Sequence, residues 1–121
     1  MPMVKELSPS EAKLELEKGA LLVDVRETYE VDEFACDVPE TLVMPLSELQ
    51  NKYQELPTDR DLIIACAGGG RSLYAATFLS QHGYDKVANL DGGVFTWHSQ
   101  GLPVKKSGMG AEKSVNSCKL W

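Results

Sequence analysis

Short, continuous apolar runs recur along the chain, and polar segments with helical spacing separate them. The runs cover residues 21–25, 41–44, 61–65 and 87–90. Apolar runs of this length, without alternation of polar and apolar positions, are typical of strands that are buried on both faces. Strands that alternate with helices predict an α/β domain with three layers. We expect a mostly parallel central sheet of about five strands, with helices on both faces.

The segments between these runs carry helix signals. In the first of them Ser8 can act as the N-cap, Pro9 suits the first turn and Glu11 can close a capping box. This helix is expected to end near Gly19. Four further helices are predicted, over residues 28–35, 47–56, 73–82 and 94–99. Ser47 is the predicted N-cap of the second of these four helices.

Charge is distributed unevenly along the chain. The net charge of the 121 residues is −6, but residues 105–121 carry +3 and residues 1–104 therefore carry −9. An acidic protein is a poor partner for nucleic acid or for an anionic membrane, and we expect neither. Because residues 107–121 are rich in glycine, serine and lysine, the pattern predicts one domain over 1–104, followed by a flexible basic tail over 105–121.

The sequence also indicates where in the cell the protein is located. No apolar run approaches the ~20 residues of a membrane span, and residues 1–10 lack the basic and apolar regions of a signal peptide. We therefore expect a cytoplasmic protein.

The chain has three cysteines, an odd number that does not suggest a disulfide framework: Cys36, Cys66 and Cys118. A cysteine in a reducing compartment is either a small buried apolar residue or a reactive thiol.

Cys66 has the surroundings of a reactive thiol. It follows the most apolar of the predicted strands, and open α/β sheets bind ligands at the carboxyl ends of their strands. The next four residues allow backbone N–H groups to point inward as a nest for an anion: Ala67, Gly68, Gly69 and Gly70. Arg71 adds a positive charge where a helix begins, and a helix N-terminus is equivalent to about half an elementary charge. Since all these features stabilise a thiolate, the pKa of Cys66 is expected to be lowered.

Three segments resemble the signatures of rhodanese-like domains, the family that includes the single-domain sulfurtransferases. Residues 66–72 are similar to the active-site loop Cys-x-x-Gly-x-Arg-Ser of that family. Residues 22–26 are similar to its Asp-Val-Arg signature near the domain start, and residues 90–97 to its Leu-x-Gly-Gly-x-x-x-Trp signature near the domain end. The resemblance covers roughly residues 4–104, with the signatures in the family's order.

This resemblance implies a function. Cys66 would take a sulfane sulfur from a donor, hold it as a persulfide and deliver it to a thiophilic acceptor. The donor would be thiosulfate or a small-molecule or protein persulfide, and the acceptor would be cyanide or a thiol. Backbone N–H groups of residues 67–71 would stabilise the negatively charged outer sulfur. This chemistry requires no metal or organic cofactor, and none is expected.

Two other functions fit part of the pattern. A cysteine-dependent phosphatase also combines a cysteine, a loop of backbone N–H groups and an arginine. Its loop is one residue longer than the four residues between Cys66 and Arg71, because phosphate needs a wider cradle. A non-catalytic binding or regulatory module of the same fold is the second alternative. Loss of the nucleophile would mark such a module, and Cys66 is present, so the sulfurtransferase is favoured.

Other polar residues have structural alternatives. Asp24 and Arg26 form either a buried ion pair that fixes the sheet edge or a support beneath the catalytic loop, and neither is placed among the catalytic residues. For Arg71 we favour bracing of the loop by a nearby carboxylate, with partial charge compensation. His82 and His98 do not lie at a spacing typical of metal ligands.

The two remaining cysteines are interpreted as bystanders. Cys36 is expected to be an inert, partly buried thiol, in preference to a disulfide partner of Cys66. Cys118 lies in the predicted tail, where an exposed bystander is favoured over a thiol that receives sulfur from Cys66.

The segment around Cys36 is unusually acidic. Seven acidic residues and one basic residue lie between positions 24 and 40. Rhodanese-like domains usually read Gly-His-Ile-Pro-Gly where residues 36–40 read Cys-Asp-Val-Pro-Glu. Carboxylates close to the site would repel a dianion such as thiosulfate. We therefore hypothesise that thiosulfate is a weak donor and that a persulfide is preferred.

Overall fold

A five-stranded parallel sheet forms the centre of the computed structural model, which describes residues 4–106. The strands are Lys5–Leu7 (β1), Leu21–Asp24 (β2), Ala35–Cys36 (β3), Thr41–Val43 (β4), Leu62–Ala65 (β5), Val87–Leu90 (β6) and Val104–Lys105 (β7). The helices are Pro9–Glu17 (α1), Thr28–Glu33 (α2), Leu46–Lys52 (α3), Gly70–Gln81 (α4) and Gly93–Ser99 (α5). The central sheet has the order β1-β6-β5-β2-β4, and β3 and β7 form a separate antiparallel pair. This architecture confirms the predicted fold class.

Helices cover both faces of the sheet, and its inner strands are mostly apolar. All residues of β2 and β5 are buried. Along β5, Leu62 and Ile64 belong to the core cluster that includes residues of α3 and α4, whereas Ile63 belongs to the cluster of α1 and α5. Trp97 of α5 is completely buried in the second cluster. None of the helices in the described residues is long and apolar enough to cross a membrane.

The three signature segments meet at one edge of the sheet. They include or follow the carboxyl ends of β2, β5 and β6, which are direct neighbours in the sheet, with β5 in the middle. Because these strands are parallel, their carboxyl ends lie side by side. Segments that are far apart in the sequence are thereby brought together around Cys66.

Some helix boundaries differ from the predictions. The capping box of α1 is present, with the N–H of Glu11 donating to Oγ of Ser8 at 3.2 Å. The prediction of Ser47 as an N-cap is wrong, because α3 begins at Leu46 and the Ser47 hydroxyl instead donates to a carboxylate oxygen of Glu27 at 3.1 Å. The same helix ends at Lys52, and a short 3-10 helix, Tyr53–Glu55, continues it.

The second predicted helix is shorter than residues 28–35. Helix α2 ends at Glu33, and Ala35 lies in β3 instead. The guanidinium of Arg26 ends the helix, since it donates to the carbonyls of Glu30 at 3.4 Å and Phe34 at 2.9 Å. These carbonyls therefore have a side-chain partner in place of a further helical turn.

The last strand extends beyond the predicted domain boundary at position 104. Lys105 lies in β7 and pairs with Ala35, one residue beyond the expected domain boundary. Residues 107–121, on which the prediction of a flexible tail mainly falls, lie outside the described residues.

Candidate active site

The sulfur of Cys66 lies at the floor of the loop that joins β5 to α4. Cys66 is only 1% exposed, and the N–H of Gly69 donates to its Sγ at 3.0 Å. Gly69 has a φ of 103°, a left-handed conformation that glycine adopts without the strain of a Cβ atom. A Cβ atom at this position would also lie 3.2 Å from the backbone nitrogen of Gly92. The glycine therefore lets the chain turn back over the sulfur while it packs against the third signature.

The pKa of the Cys66 thiol is lowered from its ordinary value. Burial by itself raises this pKa, because a low-dielectric environment disfavours the charged form. Hydrogen bonds to the sulfur from the hydroxyl and N–H of Ser72, and from the N–H groups of Gly69 and Gly68, outweigh burial. The site therefore favours the thiolate, which is the nucleophilic form of cysteine.

Helix α5 orients the peptide groups of the loop. The N–H of Val94 donates to the Cys66 carbonyl at 2.8 Å, and the N–H of Phe95 donates to the Ala67 carbonyl at 3.1 Å. In a trans peptide the N–H points opposite to the C=O. The N–H groups of Ala67 and Gly68 are thus turned away from α5 and towards the inside of the loop.

The other end of the loop is the first turn of α4. Gly69 is the N-cap of this helix, and Gly70 and Arg71 are its first residues. The first N–H groups of an α-helix have no acceptor within the helix and remain available to an anion. The loop predicted from the sequence, residues 67–71, is therefore assembled around Cys66 in one place.

Arg71 is held by a carboxylate of α2. Its guanidinium donates to both carboxylate oxygens of Glu30, each at 2.9 Å. The hydrogen bonds from Arg71 are the main reason that the pKa of Glu30 falls to about 2, and the same pairing raises the pKa of Arg71. The ion pair ties the start of α4 to α2 and neutralises the charge of the arginine.

The Arg71–Glu30 pair predicts a pH-dependent stability. Because the pKa of Glu30 is depressed from 4.5 to about 2, its stabilising effect is present above pH 4.5 and is lost as the pH falls towards 2. We expect Glu30→Gln to lower the free energy of unfolding at pH 7 by about 1 kcal/mol, since the pair is partly exposed. Urea denaturation at pH 7 and pH 3 measures this, and the difference from wild type should be smaller at pH 3.

Glu40→Gln provides the control for this prediction. Glu40 also binds an arginine through two hydrogen bonds, but its side chain is 58% exposed and its partner is Arg60. A smaller effect is expected there because solvent screens the pair. An equal loss in both variants, or a loss in Glu30→Gln that is as large at pH 3 as at pH 7, would contradict the assignment.

The buried ion pair of Asp24 and Arg26 holds helix α2 in place. Both residues are almost fully buried, and the guanidinium donates to the Asp24 carboxylate at 2.8, 3.0 and 3.2 Å. The remaining bonds of Arg26 go to backbone carbonyls at the end of α2. Through this helix the pair places Glu30, and Glu30 in turn holds Arg71. The pair is thus connected to the loop through a chain of contacts.

Cys36 has the properties of an unreactive thiol. It is completely buried in the core, where burial and then the negative charge of Asp24 raise its pKa to about 12. Cys36 and Cys66 are both free and belong to different core clusters, so the structure contains no disulfide between them. Burial is more complete than the sequence predicted, because β3 pairs with β7 over this position. Cys118 lies outside the described residues.

Only some of the carboxylates between positions 24 and 40 lie near the Cys66 loop. Glu30 lies beside the loop, but Glu40 precedes β4 and pairs with Arg60, which also donates to the carbonyl of Gly19 at 2.8 Å. Gly19 and Arg60 come before β2 and β5, so Glu40 lies at the opposite edge of the sheet from Cys66. Only part of the acidic surplus therefore bears on the charge of the site.

A cavity of about 440 Å³ also lies at that opposite edge. Its lining includes Lys5, Leu62 and Val87, at the amino ends of three strands, and no residue of the 66–72 loop. Among residues 4–106, no group of three or more metal-ligating side chains comes together.

Asn89 is a site residue that sequence reasoning missed. It is 2% exposed on β6, and its Nδ2 donates to the carbonyl of Gly69 at 3.3 Å and to Oε1 of Glu6 at 2.9 Å. Both partners are acceptors, which fixes the amide with its NH2 group towards them. The Gly69 carbonyl also accepts a bond from the N–H of Leu73. Asn89 thus helps to position the residue whose N–H binds Sγ.

Replacement of Asn89 is predicted to raise the pKa of Cys66. Asn89→Leu removes the donor to Gly69 and to the exposed carboxylate of Glu6, which water can then solvate. It also removes an amide oxygen that is buried without a partner, so the free energy of unfolding should change little. The loop is then less firmly held, and we expect the pKa of Cys66 to rise towards that of an ordinary cysteine. The pH dependence of the rate of alkylation by iodoacetamide measures this pKa.

Thr41→Val is the matched control for Asn89→Leu. The hydroxyl of Thr41 is likewise buried without a partner, but it lies on β4. The alkylation profile should be that of the wild type. If the alkylation profile of Asn89→Leu is also that of the wild type, Asn89 does not help to position the loop.

Comparisons with known proteins agree with the fold. The family model of the rhodanese-like domain matches residues 8–100. A protein of Allochromatium vinosum named sulfurtransferase is 38% identical over 87 residues, which are 72% of this chain and 79% of that protein. The thiosulfate sulfurtransferase GlpE of Haemophilus influenzae (strain PittEE) is 32% identical over 101 residues, which are 83% of this chain and 93% of that protein.

A solved structure has a similar fold. The crystal structure of a rhodanese-related protein from Thermoplasma volcanium has a TM-score of 0.76 and 31% identity, over 84% of this chain and 97% of that one. The fold and the site thus define an α/β domain with a cysteine loop at the carboxyl edge of its sheet. The chain belongs to the rhodanese-like domain family, and its relatives include named sulfurtransferases.

Proposed function

We propose that the protein is a sulfurtransferase that carries sulfane sulfur as a persulfide on Cys66. The observation that carries this proposal is the hydrogen bond from the N–H of Gly69 to Sγ at 3.0 Å, which helps to lower the pKa of Cys66. A site of this kind stabilises both a thiolate and the anionic sulfur of a persulfide. The names of the relatives support the same reaction class.

In the first half of the reaction the Cys66 thiolate attacks the sulfane sulfur of the donor. A new S–S bond forms to Sγ while the bond between that sulfur and the rest of the donor breaks. The bonding electrons leave with the donor, as sulfite from thiosulfate or as a thiolate from a persulfide. The inward N–H groups of residues 67–71 then surround the outer sulfur of Cys66.

In the second half the acceptor attacks the outer sulfur. The bond between this sulfur and Sγ breaks, and its electron pair returns to Cys66 as the thiolate. Cyanide would yield thiocyanate, and a thiol would yield a persulfide. Because the loop stabilises the Cys66 thiolate, it also makes Cys66 a good leaving group. Neither half requires an external oxidant or reductant.

A persulfide is the donor that the charges near the site favour. Arg71 is paired with Glu30 through two hydrogen bonds, and Arg26 is paired with Asp24. The loop therefore offers a thiosulfate dianion an arginine that is already neutralised. Both described cysteines are free thiols, which suits the cytoplasmic location that we propose for this activity.

Measurement of the intact mass after incubation with sulfur donors tests the proposal. We expect a gain of one sulfur atom that cyanide removes, and peptide mapping should place it on Cys66. A small-molecule persulfide should give half-maximal loading at a lower concentration than thiosulfate. The reverse order would contradict the donor preference alone. Sulfur that maps only to other residues would contradict the role of Cys66.

A further inference from the structure

An exposed apolar surface borders the Cys66 loop. Six large apolar side chains are exposed in the part of the chain that the structure describes, and four of them lie on the helices beside this loop. These four residues are called the apolar rim: Tyr29, Leu73, Tyr74 and Phe95, which are 70%, 38%, 64% and 56% exposed. Single exposed apolar residues are common, but a group of them around one loop indicates a contact surface.

Hydrogen bonds place two rim residues at the two ends of the loop. The N–H of Phe95 donates to the carbonyl of Ala67 at 3.1 Å. The N–H of Leu73 donates to the carbonyl of Gly69, also at 3.1 Å. The rim therefore borders the loop on the side of α5 and on the side of α4.

The other two rim residues lie beside the loop arginine. Tyr74 stands three positions after Arg71 on α4, and residues at this spacing share one face of a helix. The guanidinium of Arg71 donates to the carboxylate of Glu30, which directly follows Tyr29 on α2. The rim thus continues from α4 to α2 across this ion pair.

The nature of the rim favours a protein over a small molecule. Small molecules bind in concave sites that bury most of their surface. The cavity of about 440 Å³ has no lining residue from the 66–72 loop and lies at the opposite edge of the sheet. The rim consists instead of exposed side chains on three different helices, and three of the four are tyrosine or phenylalanine. Aromatic side chains are enriched in the interfaces between proteins.

The charges around the rim determine which kind of protein it can bind. Residues 24–33, 66–74 and 91–95 contain six carboxylates and two arginines, a surplus of four negative charges. Each of the two arginines is already paired with a carboxylate. A second copy of this chain is a poor partner because residues 1–104 carry −9 and like charges would meet. A positively charged partner has the complementary potential.

We propose that the apolar rim binds a basic segment of a partner protein, and that a cysteine of this segment accepts the sulfur from Cys66. This inference rests on the proposed function. Lysine or arginine side chains of the segment lie against the acidic surroundings of the rim, and an aromatic or aliphatic side chain packs on the rim itself. The same cations lower the pKa of the partner thiol, so that it attacks as a thiolate at neutral pH.

The transfer is a balanced exchange between two cysteines. The partner thiol loses its proton to solvent, and its thiolate attacks the outer sulfur of the Cys66 persulfide. A new S–S bond forms on the partner while the bond between the outer sulfur and Sγ breaks. The electron pair of that bond returns to Cys66, whose thiolate is stabilised by the loop. No oxidant or reductant takes part.

A single-turnover experiment with the full chain and synthetic peptides tests this proposal. The protein is loaded with a small-molecule persulfide, separated from excess donor and mixed with a peptide that contains one cysteine, flanking lysines and a tryptophan. Rapid quenching and mass measurement follow the sulfur from the protein to the peptide. Per thiolate, this peptide should accept sulfur at least about tenfold faster than a peptide with glutamates in place of the lysines. Added salt should reduce this difference.

Variants of the rim locate the binding surface. The rate of transfer to the lysine peptide, divided by the rate of transfer to cyanide, should fall about tenfold in Tyr74→Ala and in Tyr29→Ala. The division removes any effect of a variant on the loop, because cyanide is too small to need the rim. Leu14→Ala is the matched control, since Leu14 is 58% exposed but lies on α1 and outside the rim. Its ratio should equal that of the wild type.

The outcomes separate this proposal from the proposed function. Equal rates with the lysine and glutamate peptides, or free cysteine that reacts as fast per thiolate as the lysine peptide, would overturn the basic partner. Ratios in the rim variants that match Leu14→Ala would overturn the rim as its binding surface. In each of these cases transfer to cyanide would leave the proposed function standing. Failure of Cys66 to take up sulfur would overturn both.

Discussion

Replacement of Cys66 with serine is expected to abolish sulfur transfer while the fold is retained. A serine hydroxyl does not ionise near neutral pH and does not form a persulfide, so the loop has no group to carry sulfur. We expect turnover to fall at least about a thousandfold, as is common when a nucleophile is removed. The exchange is small in volume, and the melting temperature should stay close to that of the wild type. Thiocyanate formation from a sulfur donor and cyanide measures the turnover.

Cys36→Ala distinguishes the nucleophile from the other described cysteine. Cys36 is equally buried, but its pKa is raised to about 12, whereas that of Cys66 is lowered. Turnover should therefore be retained in Cys36→Ala, even if the loss of a core sulfur lowers the melting temperature. Substantial turnover in Cys66→Ser, or its disappearance in Cys36→Ala with the fold intact, would reverse the assignment.

Replacement of Gly93 with alanine is expected to damage both the stability and the loop. A Cβ atom at Gly93 would lie 2.5 Å from the carbonyl oxygen of Cys66 and would also collide with the carbonyl oxygen of Ala67. These are backbone atoms that accept bonds from α5, so they cannot move without displacing the loop. Because of these collisions and the strain at a φ of 68°, we expect the free energy of unfolding to fall by about 3 kcal/mol. Sulfur transfer should fall at least tenfold.

Gly101→Ala separates the collision from the backbone strain. Gly101 has a similar φ of 81°, but an added Cβ atom would have no neighbour within 4 Å. Its replacement should cost about 1 kcal/mol and leave the transfer rate unchanged. Equal effects of the two variants in urea denaturation and turnover would mean that close packing at Gly93 does not shape the loop.

The central strands and the loop were predictable from local patterns. The apolar runs that became β2, β5 and β6 are continuous because helices cover both faces of the sheet. The capping box from Ser8 to Glu11 is likewise encoded within a few residues. A cysteine directly after a buried strand, followed by glycines that can adopt left-handed conformations, predicted a loop that turns at the carboxyl edge of the sheet, and Gly69 has such a conformation. The catalytic role of Cys66 stays a prediction.

The features that were missed depend on contacts distant in the sequence. Ala35 leaves the predicted helix because Arg26 binds the carbonyls before it and because Lys105 pairs with it. Asn89 is separated by twenty positions from Gly69, and only the adjacent placement of β5 and β6 brings its amide to the loop. A buried asparagine within an apolar strand was the available signal, since such a side chain requires hydrogen-bond partners.

The two outer strands of the central sheet affect the behaviour of the protein at high concentration. β1 and β4 have only three residues each, and β1 exposes the charged residues Lys5 and Glu6. A long, flat, apolar edge invites strands of other molecules to add to the sheet, whereas short and charged edges do not. The folded domain is thus protected against strand-mediated aggregation, although the interior of its sheet is almost entirely apolar.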